Sequence, residues 1–139
     1  MTDNQERSVL RRDSIPKDWR VVLYIPSAEH APSPHYLDRF RSQRDLAADA
    51  EAAARRGDFL AAMRENTQLV ERIVGYRYAE LRERLVAAGA LATGVSGMGP
   101  ALATITEASV AERVLDVLPV DDGTRRVASF VAPASGGVG

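Results

Sequence analysis

The N-terminal part of the chain carries one strong strand pattern. Residues 19 to 25 are dominated by β-branched and aromatic side chains and are followed by Pro26, which is typical of a β-strand that ends at the proline. Residues 8 to 12 predict a shorter strand before it. Two prolines and two serines between residues 27 and 34, with His30 among them, predict a loop. The chain therefore opens with two strands and a connection into its middle part.

Apolar residues in the middle of the chain recur every three or four positions, which is the spacing of amphipathic helices. Three helices are predicted, over residues 35 to 56, 59 to 74 and 77 to 88. The second begins after Asp58, whose carboxylate suits an N-cap, and its predicted buried face holds Phe59, Met63, Val70, Ile73 and Val74. The residues predicted to end the three helices are Gly57, Gly75 and Gly89.

After Gly89 the pattern changes to that of strands. Residues 90 to 95 and 101 to 106 predict two antiparallel strands joined by a glycine-rich turn. Thr106 is predicted to cap a helix that runs to about Leu118, and residues 126 to 131 predict the last strand. Residues 132 to 139 are almost all small, so we expect a disordered tail after a single domain over residues 1 to 131.

The order of these elements predicts the fold. With the helical middle taken as one crossover, the order is strand, helices, strand, strand, helix, strand. This is the split βαβ order of a ferredoxin-like α+β fold, in which helices cover one face of an antiparallel sheet. The extended helical first crossover departs from the minimal plan.

Composition excludes several classes of function. The 139 residues contain no cysteine, which excludes thiolate catalysis, zinc–cysteine sites and iron–sulfur clusters. The apolar stretches fall short of the ~20 residues that span a bilayer, and no signal peptide pattern opens the chain, so we expect a cytoplasmic protein without a membrane partner. The net charge of −1 argues against nucleic acid as a partner. The basic residues are almost all arginines interleaved with acids, which predicts solvated helix faces.

The run Gly94-Val95-Ser96-Gly97-Met98-Gly99-Pro100 is the strongest candidate for chemistry. Glycine adopts positive φ, and without a Cβ it lets main-chain N–H groups line a concave surface that anions such as phosphate occupy. The same residues also suit a tight hairpin turn that binds nothing. The residues themselves leave both interpretations open.

The glycine run and the segments around it resemble those of a known family. Residues 89 to 101 resemble the third conserved motif of the GHMP kinases, which lies in their ferredoxin-like C-terminal domain, and the most similar pattern is that of the archaeal-type shikimate kinases. Further segments agree, and together they extend the resemblance over residues 2 to 131: Thr2-Asp3-Asn4 with Val9-Leu10-Arg11-Arg12, Val22-Leu23-Tyr24-Ile25-Pro26, and Asn66 through Gly75-Tyr76.

The resemblance implies a role as the C-terminal domain of a shikimate kinase, which transfers the γ-phosphate of ATP to shikimate with Mg²⁺ in aromatic amino-acid biosynthesis. It places Ser96, Gly97, Met98 and Gly99 beside the nucleotide phosphates and the acceptor, with Gly94 and Pro100 shaping the turn. Asp3 and Asn4 would lie on the substrate side. Met98 stands where the family usually has threonine, so a hydroxyl contact is lost there. No catalytic residue or metal ligand is assigned within the chain.

The family's phosphate loop, its magnesium ligands and its acceptor-activating residues have no counterpart in this sequence. We therefore expect the chain to be inactive unless an N-terminal kinase half, or a homo-oligomer, completes the site. Two alternatives stay open: another GHMP kinase such as homoserine kinase, and a non-catalytic ferredoxin-like binding module. An uncovered apolar sheet face would favour the kinase, and a sheet covered on both faces would favour the binding module.

Other residues have ordinary structural interpretations. His30 and His35 lack a paired carboxylate in sequence and are expected to be exposed loop residues. Asp121-Asp122-Gly123 predicts a turn rather than a metal site. Trp19 and Tyr24 are expected in the core or an interface, and Arg11 and Arg12 suit either a solvated strand edge or a substrate carboxylate.

Overall fold

A computed structural model of the chain describes residues 2–3, 8–9, 13–27, 35–97 and 99–131. Several predictions made from the sequence lie outside these residues: those for Asn4, Arg11, Arg12, His30, Met98 and the tail from 132 to 139.

The described residues form strands and helices in the predicted order. The strands are β1 (Thr2–Asp3), β2 (Ser8–Val9), β3 (Trp19–Pro26), β4 (Ala90–Val95), β5 (Leu102–Glu107) and β6 (Gly123–Ser129). The helices are α1 (Tyr36–Ser42), α2 (Arg44–Arg56), α3 (Phe59–Val74), α4 (Ala79–Ala87) and α5 (Ala111–Val117), the last preceded by a 3-10 turn at Ala108–Val110. None of these helices is long and apolar enough to cross a bilayer.

Four strands form one antiparallel sheet in the order β4-β5-β3-β6, and β1 pairs with β2 separately. The first and third strands of the split βαβ unit, β3 and β5, thus lie in the centre, and the strands that follow the two crossovers lie at the edges. The predicted α+β fold with an antiparallel sheet and a helical first crossover is confirmed.

Helices α4 and α5 cover one face of the sheet, which we call the helix-covered face. Val22 on β3 and Leu102 on β5 point into it and are fully buried against Leu85 of α4 and Val114 of α5. Burying such side chains contributes roughly 1.5–3 kcal/mol each. The other members of this core include Tyr24, Val70, Ala88, Ala90, Val95, Ala111 and Leu118.

Helix α3 lies along the outer edge of β4 and satisfies its outward-facing backbone groups. The Thr67 hydroxyl donates to the Thr93 carbonyl oxygen at 3.1 Å and accepts from the Val95 amide at 3.2 Å. The Arg64 guanidinium donates to the Leu91 carbonyl oxygen at 2.9 Å. Without these bonds, the backbone amides and carbonyl oxygens at the outer edge of β4 would have to bond water or another chain. Side chains of α3 therefore provide the hydrogen bonds that a neighbouring strand would provide.

The structure corrects three predictions of local structure. The helix expected over residues 35 to 56 is interrupted at Gln43, next to Ser42, whose hydroxyl donates to the Arg39 carbonyl oxygen within α1. Thr106 does not cap a helix: it lies in β5, and its hydroxyl donates to the Gly89 carbonyl oxygen at 3.2 Å. The last strand begins at Gly123, three residues earlier than expected.

Other local predictions are confirmed. Asp58 caps α3 by accepting from the Ala61 amide at 2.9 Å, and Gly57 and Gly75 end α2 and α3 with positive φ. Tyr24 lies in the core. Phe59, expected on the buried face of α3, is instead 40% exposed because it begins the helix.

We expect Thr67→Val to destabilise the fold by about 1–3 kcal/mol, because it leaves two buried backbone groups of β4 without a partner. Chemical denaturation measures the change. Thr67→Ser, which keeps the hydroxyl, should recover part of the loss. Thr124→Val on exposed β6 is the matched control and should stay within about 0.5 kcal/mol of the wild type. An equal effect of Thr67→Val and Thr124→Val would contradict the role assigned to Thr67.

Candidate functional site

The glycine turn, residues 94 to 100, lies at one end of the four-stranded sheet. Val95 ends β4 and pairs with Leu102 at the start of β5, and Leu102 pairs on its other side with Tyr24 near the end of β3. Asp122, just before β6, accepts a hydrogen bond from the Tyr24 hydroxyl at 2.8 Å through its carbonyl oxygen. Four strand ends therefore meet beside the turn.

Two hydrogen bonds close the turn on itself. The Ser96 amide donates to the Ala101 carbonyl oxygen at 2.8 Å, and the Gly99 amide donates to the Ser96 carbonyl oxygen at 2.9 Å. Gly97 has a φ of +61°, the sign required at the first central position of the mirror-image turns that hairpins use. The turn is therefore a tight hairpin connection, and it retains fewer amides for a ligand than an open phosphate loop would.

Among the described residues of the turn, Ser96 and Gly97 are exposed. The Ser96 side chain and the Gly97 main chain both face solvent, and a β-carbon on Gly97 would meet nothing within 4 Å. A hydroxyl and an amide are donors to phosphate or carboxylate oxygens. The arrangement can bind one side of an anion.

Gly94 has a different role from the turn-shaping one expected. It lies inside β4, paired with Ala103, and a β-carbon there would lie 2.7 Å from the terminal carbon of Met63. The space that Gly94 leaves lets Met63 of α3 pack over the sheet. Pro100 follows a cis peptide bond after Gly99, at the point where the chain enters β5.

Two tyrosines from the α3–α4 connection contact the turn. The Tyr78 hydroxyl donates to the Pro100 carbonyl oxygen at 2.8 Å. Gly99 has a φ of +80°, and a β-carbon on it would lie 2.5 Å from the ring and hydroxyl of Tyr76. The two rings stack with centroids 5.3 Å apart and planes inclined by 26°.

Burial changes the acidity of these hydroxyls. Burial first, and then the neighbouring Tyr76, Tyr24 and the carboxylates of Asp122 and Glu71, raise the pKa of Tyr78 to about 12. Burial also raises the pKa of Tyr76, and burial with the Asp122 carboxylate raises that of Tyr24. All three remain protonated hydrogen-bond donors at neutral pH rather than general bases.

Sequence reasoning did not assign these tyrosines to the site. Tyr76 belongs to the Gly75-Tyr76 pair of the resemblance, and Tyr78 falls within the helix predicted over residues 77 to 88, whereas in the structure Tyr78 is the residue before α4 begins. The available signal was two aromatic residues at alternate positions directly after Gly75, which ends α3. Aromatic residues outside a regular helix indicate contacts with another segment of the chain, which here is the glycine turn.

The structure does not bring the other candidates to the turn through any described contact. Asp3 pairs with Ser8 in the β1–β2 hairpin, and His35 precedes α1. Asp121 and Asp122 lie in the bend between α5 and β6. Among the residues described, no three His, Asp or Glu side chains are grouped to hold a metal ion.

A family model described as GHMP kinases C terminal matches residues 47–120, more than half of the chain. Two solved structures are similar. A homoserine kinase from Cytophaga hutchinsonii is 15% identical with a TM-score of 0.47, and the match covers 83% of this chain and 42% of that one. A protein assigned as a homoserine kinase from Listeria monocytogenes is 23% identical with a TM-score of 0.50, covering 81% and 41%. The chain spans about two fifths of each.

Gly99→Ala should destabilise the chain more than Gly97→Ala. Both substitutions force a β-carbon into positive φ, at about 1–2 kcal/mol. At Gly99 the new carbon also overlaps Tyr76, while at Gly97 it meets nothing. Unfolding free energies of the two variants give the comparison, and equal losses would show that the Tyr76 ring moves aside freely.

Stability at high pH should depend on Tyr78. Its pKa rises from 10.0 in the unfolded chain to about 12 in the fold, so the unfolded chain releases the proton first. The stability that this shift contributes is complete below the unfolded value and is lost as the pH rises towards the folded one. Urea unfolding from about pH 9 to about pH 12 should show a smaller decline for Tyr78→Phe than for the wild type. Parallel declines would contradict the shifted pKa.

Proposed function

Because the chain belongs to the GHMP kinases, as their C-terminal domain, we propose that it forms the C-terminal half of an ATP-dependent kinase that phosphorylates a small hydroxy acid. The observation that carries this proposal is the glycine turn, with exposed Ser96 and Gly97 at the end of the sheet. In this proposal the turn is the supporting wall of the phosphate site.

The hydrogen bonds of the turn support a wall rather than a complete phosphate site. The Ser96 and Gly99 amides are used within the hairpin, so among the described residues of the turn the exposed Gly97 amide and Ser96 hydroxyl are the donors proposed to meet an anion. Phosphoryl transfer requires several donors, a metal site and a positioned acceptor together. GHMP kinases use ATP and Mg²⁺, and the described residues fit one side of a phosphate group without supplying the metal ligands.

The second face of the sheet supports a larger assembly. Val21 and Leu23 of β3 and Ile105 of β5 point away from the helix-covered face and remain partly accessible, and Ile25 is 50% exposed. Among the described helices, α3 reaches this face through Met63, whereas α4 and α5 pack on the opposite one. A partly uncovered apolar face favours a kinase half that packs against another domain over a self-contained binding module.

Two acceptors follow from different observations. The resemblance of residues 2 to 131 to archaeal-type shikimate kinases favours shikimate as the acceptor, although Met98 departs from the family pattern. The similar protein from Listeria monocytogenes is assigned as a homoserine kinase, so homoserine stays the alternative acceptor, although a likeness at 23% identity supports the fold and not the substrate. Both acceptors join an alcohol to a carboxylate, so we propose this chemical class. We place the reaction in the cytoplasm, where ATP is available.

An assay of ATP-dependent phosphorylation tests the proposal. The purified 139-residue chain should phosphorylate neither shikimate nor homoserine, and combining it with an N-terminal kinase half should give turnover with one of them. Turnover by the chain alone would show that it needs no second half. A completed assembly inactive with every hydroxy acid tested would contradict the kinase function.

Substitutions in the turn provide the matched control. In the completed kinase, Ser96→Ala should lower kcat/KM by about five- to tenfold, as expected for the loss of one hydrogen bond to an anionic group. Ser109→Ala, at an exposed serine in the 3-10 turn before α5, should leave kcat/KM unchanged. Equal effects of the two substitutions would remove Ser96 from the site.

A further inference from the structure

The glycine turn is held from the side by two aromatic residues. The Tyr78 hydroxyl bonds the Pro100 carbonyl oxygen, and the Tyr76 ring occupies the space that any side chain at Gly99 would need. Because the two rings also stack on each other, a displacement of one removes the support of the other. We call Tyr76 and Tyr78 the tyrosine clamp.

We propose that the tyrosine clamp is a positioning device for the glycine turn: it fixes the direction in which Ser96 and Gly97 face their anionic ligand. The role of the clamp in catalysis rests on the proposed kinase function. The clamp itself is defined by contacts within this chain.

The turn needs such support because its own backbone is permissive. Gly97 and Gly99 both adopt positive φ, and glycine has access to many other conformations at little cost. Two internal hydrogen bonds close the hairpin, and both lie within the turn or at its base. A displacement of a positioning group by about 1 Å costs on the order of 100-fold in rate, so a transfer site requires a turn with one conformation.

The clamp is anchored to the body of the domain. Its residues lie in the connection between α3 and α4, and these two helices are joined by an ion pair in which the Arg82 guanidinium donates twice to the Glu71 carboxylate, at 2.9 and 2.7 Å. The side chains of this pair are 23% and 11% exposed, so water screens it little. The clamp therefore links the turn to two helices that the Arg82–Glu71 ion pair holds together.

Tyr24 offers a matched control for the hydroxyl of Tyr78. Its hydroxyl also donates to a backbone carbonyl oxygen at 2.8 Å, at the same end of the sheet, but that acceptor is Asp122 rather than a residue of the turn. Tyr24→Phe and Tyr78→Phe each remove one such hydrogen bond. Only the second removes a contact with the turn.

Hydrogen exchange in the purified chain tests the clamp. The Gly99 and Ser96 amides report the closed turn, because both donate hydrogen bonds within it. Tyr78→Phe should speed their exchange by about fivefold, the factor that corresponds to one net hydrogen bond, beyond any change in global stability. Tyr76→Leu should do the same by removing the stacked ring. Tyr24→Phe should change these amides only as far as it changes global stability.

Activity of the completed kinase tests the consequence. Tyr78→Phe should lower kcat by about tenfold with acceptor KM changed less than about twofold, and Tyr24→Phe should leave both unchanged. Turn exchange that matches between Tyr78→Phe and Tyr24→Phe would overturn the clamp. Faster exchange with an unchanged kcat would overturn its positioning role. An inactive wild-type assembly would reject the kinase function, and the exchange result would then decide the clamp alone.

Discussion

The structure depends on the way α3 closes the outer edge of β4. A strand at a sheet edge exposes a row of unpaired backbone groups, and here the Thr67 hydroxyl and the Arg64 guanidinium occupy those of Leu91, Thr93 and Val95. Gly94 allows the same helix to approach closely, since Met63 occupies the place of a side chain. Because β4 leads directly into the glycine turn, the helix that closes the edge also sets where the turn begins.

Arginine is used throughout the domain to satisfy carbonyl oxygens that helices leave unpaired at their C-terminal ends. Arg39 donates to Ile73 at the end of α3, Arg113 to Ala88 after α4, and Arg84 to Val117 at the end of α5. Arg125 donates to two further carbonyls of that last turn, those of Leu115 and Leu118. The planar guanidinium offers several fixed donors, which suits it to bonding such carbonyl oxygens.

The sequence predicted what local chemistry determines. Gly57, Gly75 and the Asp58 cap have backbone conformations that their own residue types favour, so helix ends were found correctly. The predictions failed where distant residues decide. Threonine is a favourable residue type for a helix cap, but the Thr106 hydroxyl donates to the carbonyl oxygen of Gly89, 17 residues earlier in the chain. Arginine on a predicted helix is expected at the surface, but Arg82 pairs with the Glu71 carboxylate on another helix. The contacts of Tyr76 and Tyr78 with the turn belong to the same class.

In the glycine turn, the amides that hold the fold together are not available to bind a ligand. The hairpin satisfies its own backbone to stay closed, and every amide used for closure is one fewer for a ligand. A closed turn therefore has too few free amides to bind a phosphate group by itself, but it suits the proposed supporting role beside a phosphate site. In the proposed positioning role, Tyr76 and Tyr78 hold the turn, while Ser96 and Gly97 stay exposed beside it. In the proposed kinase, the turn would therefore contribute position, and the groups facing it would supply most of the charge stabilisation.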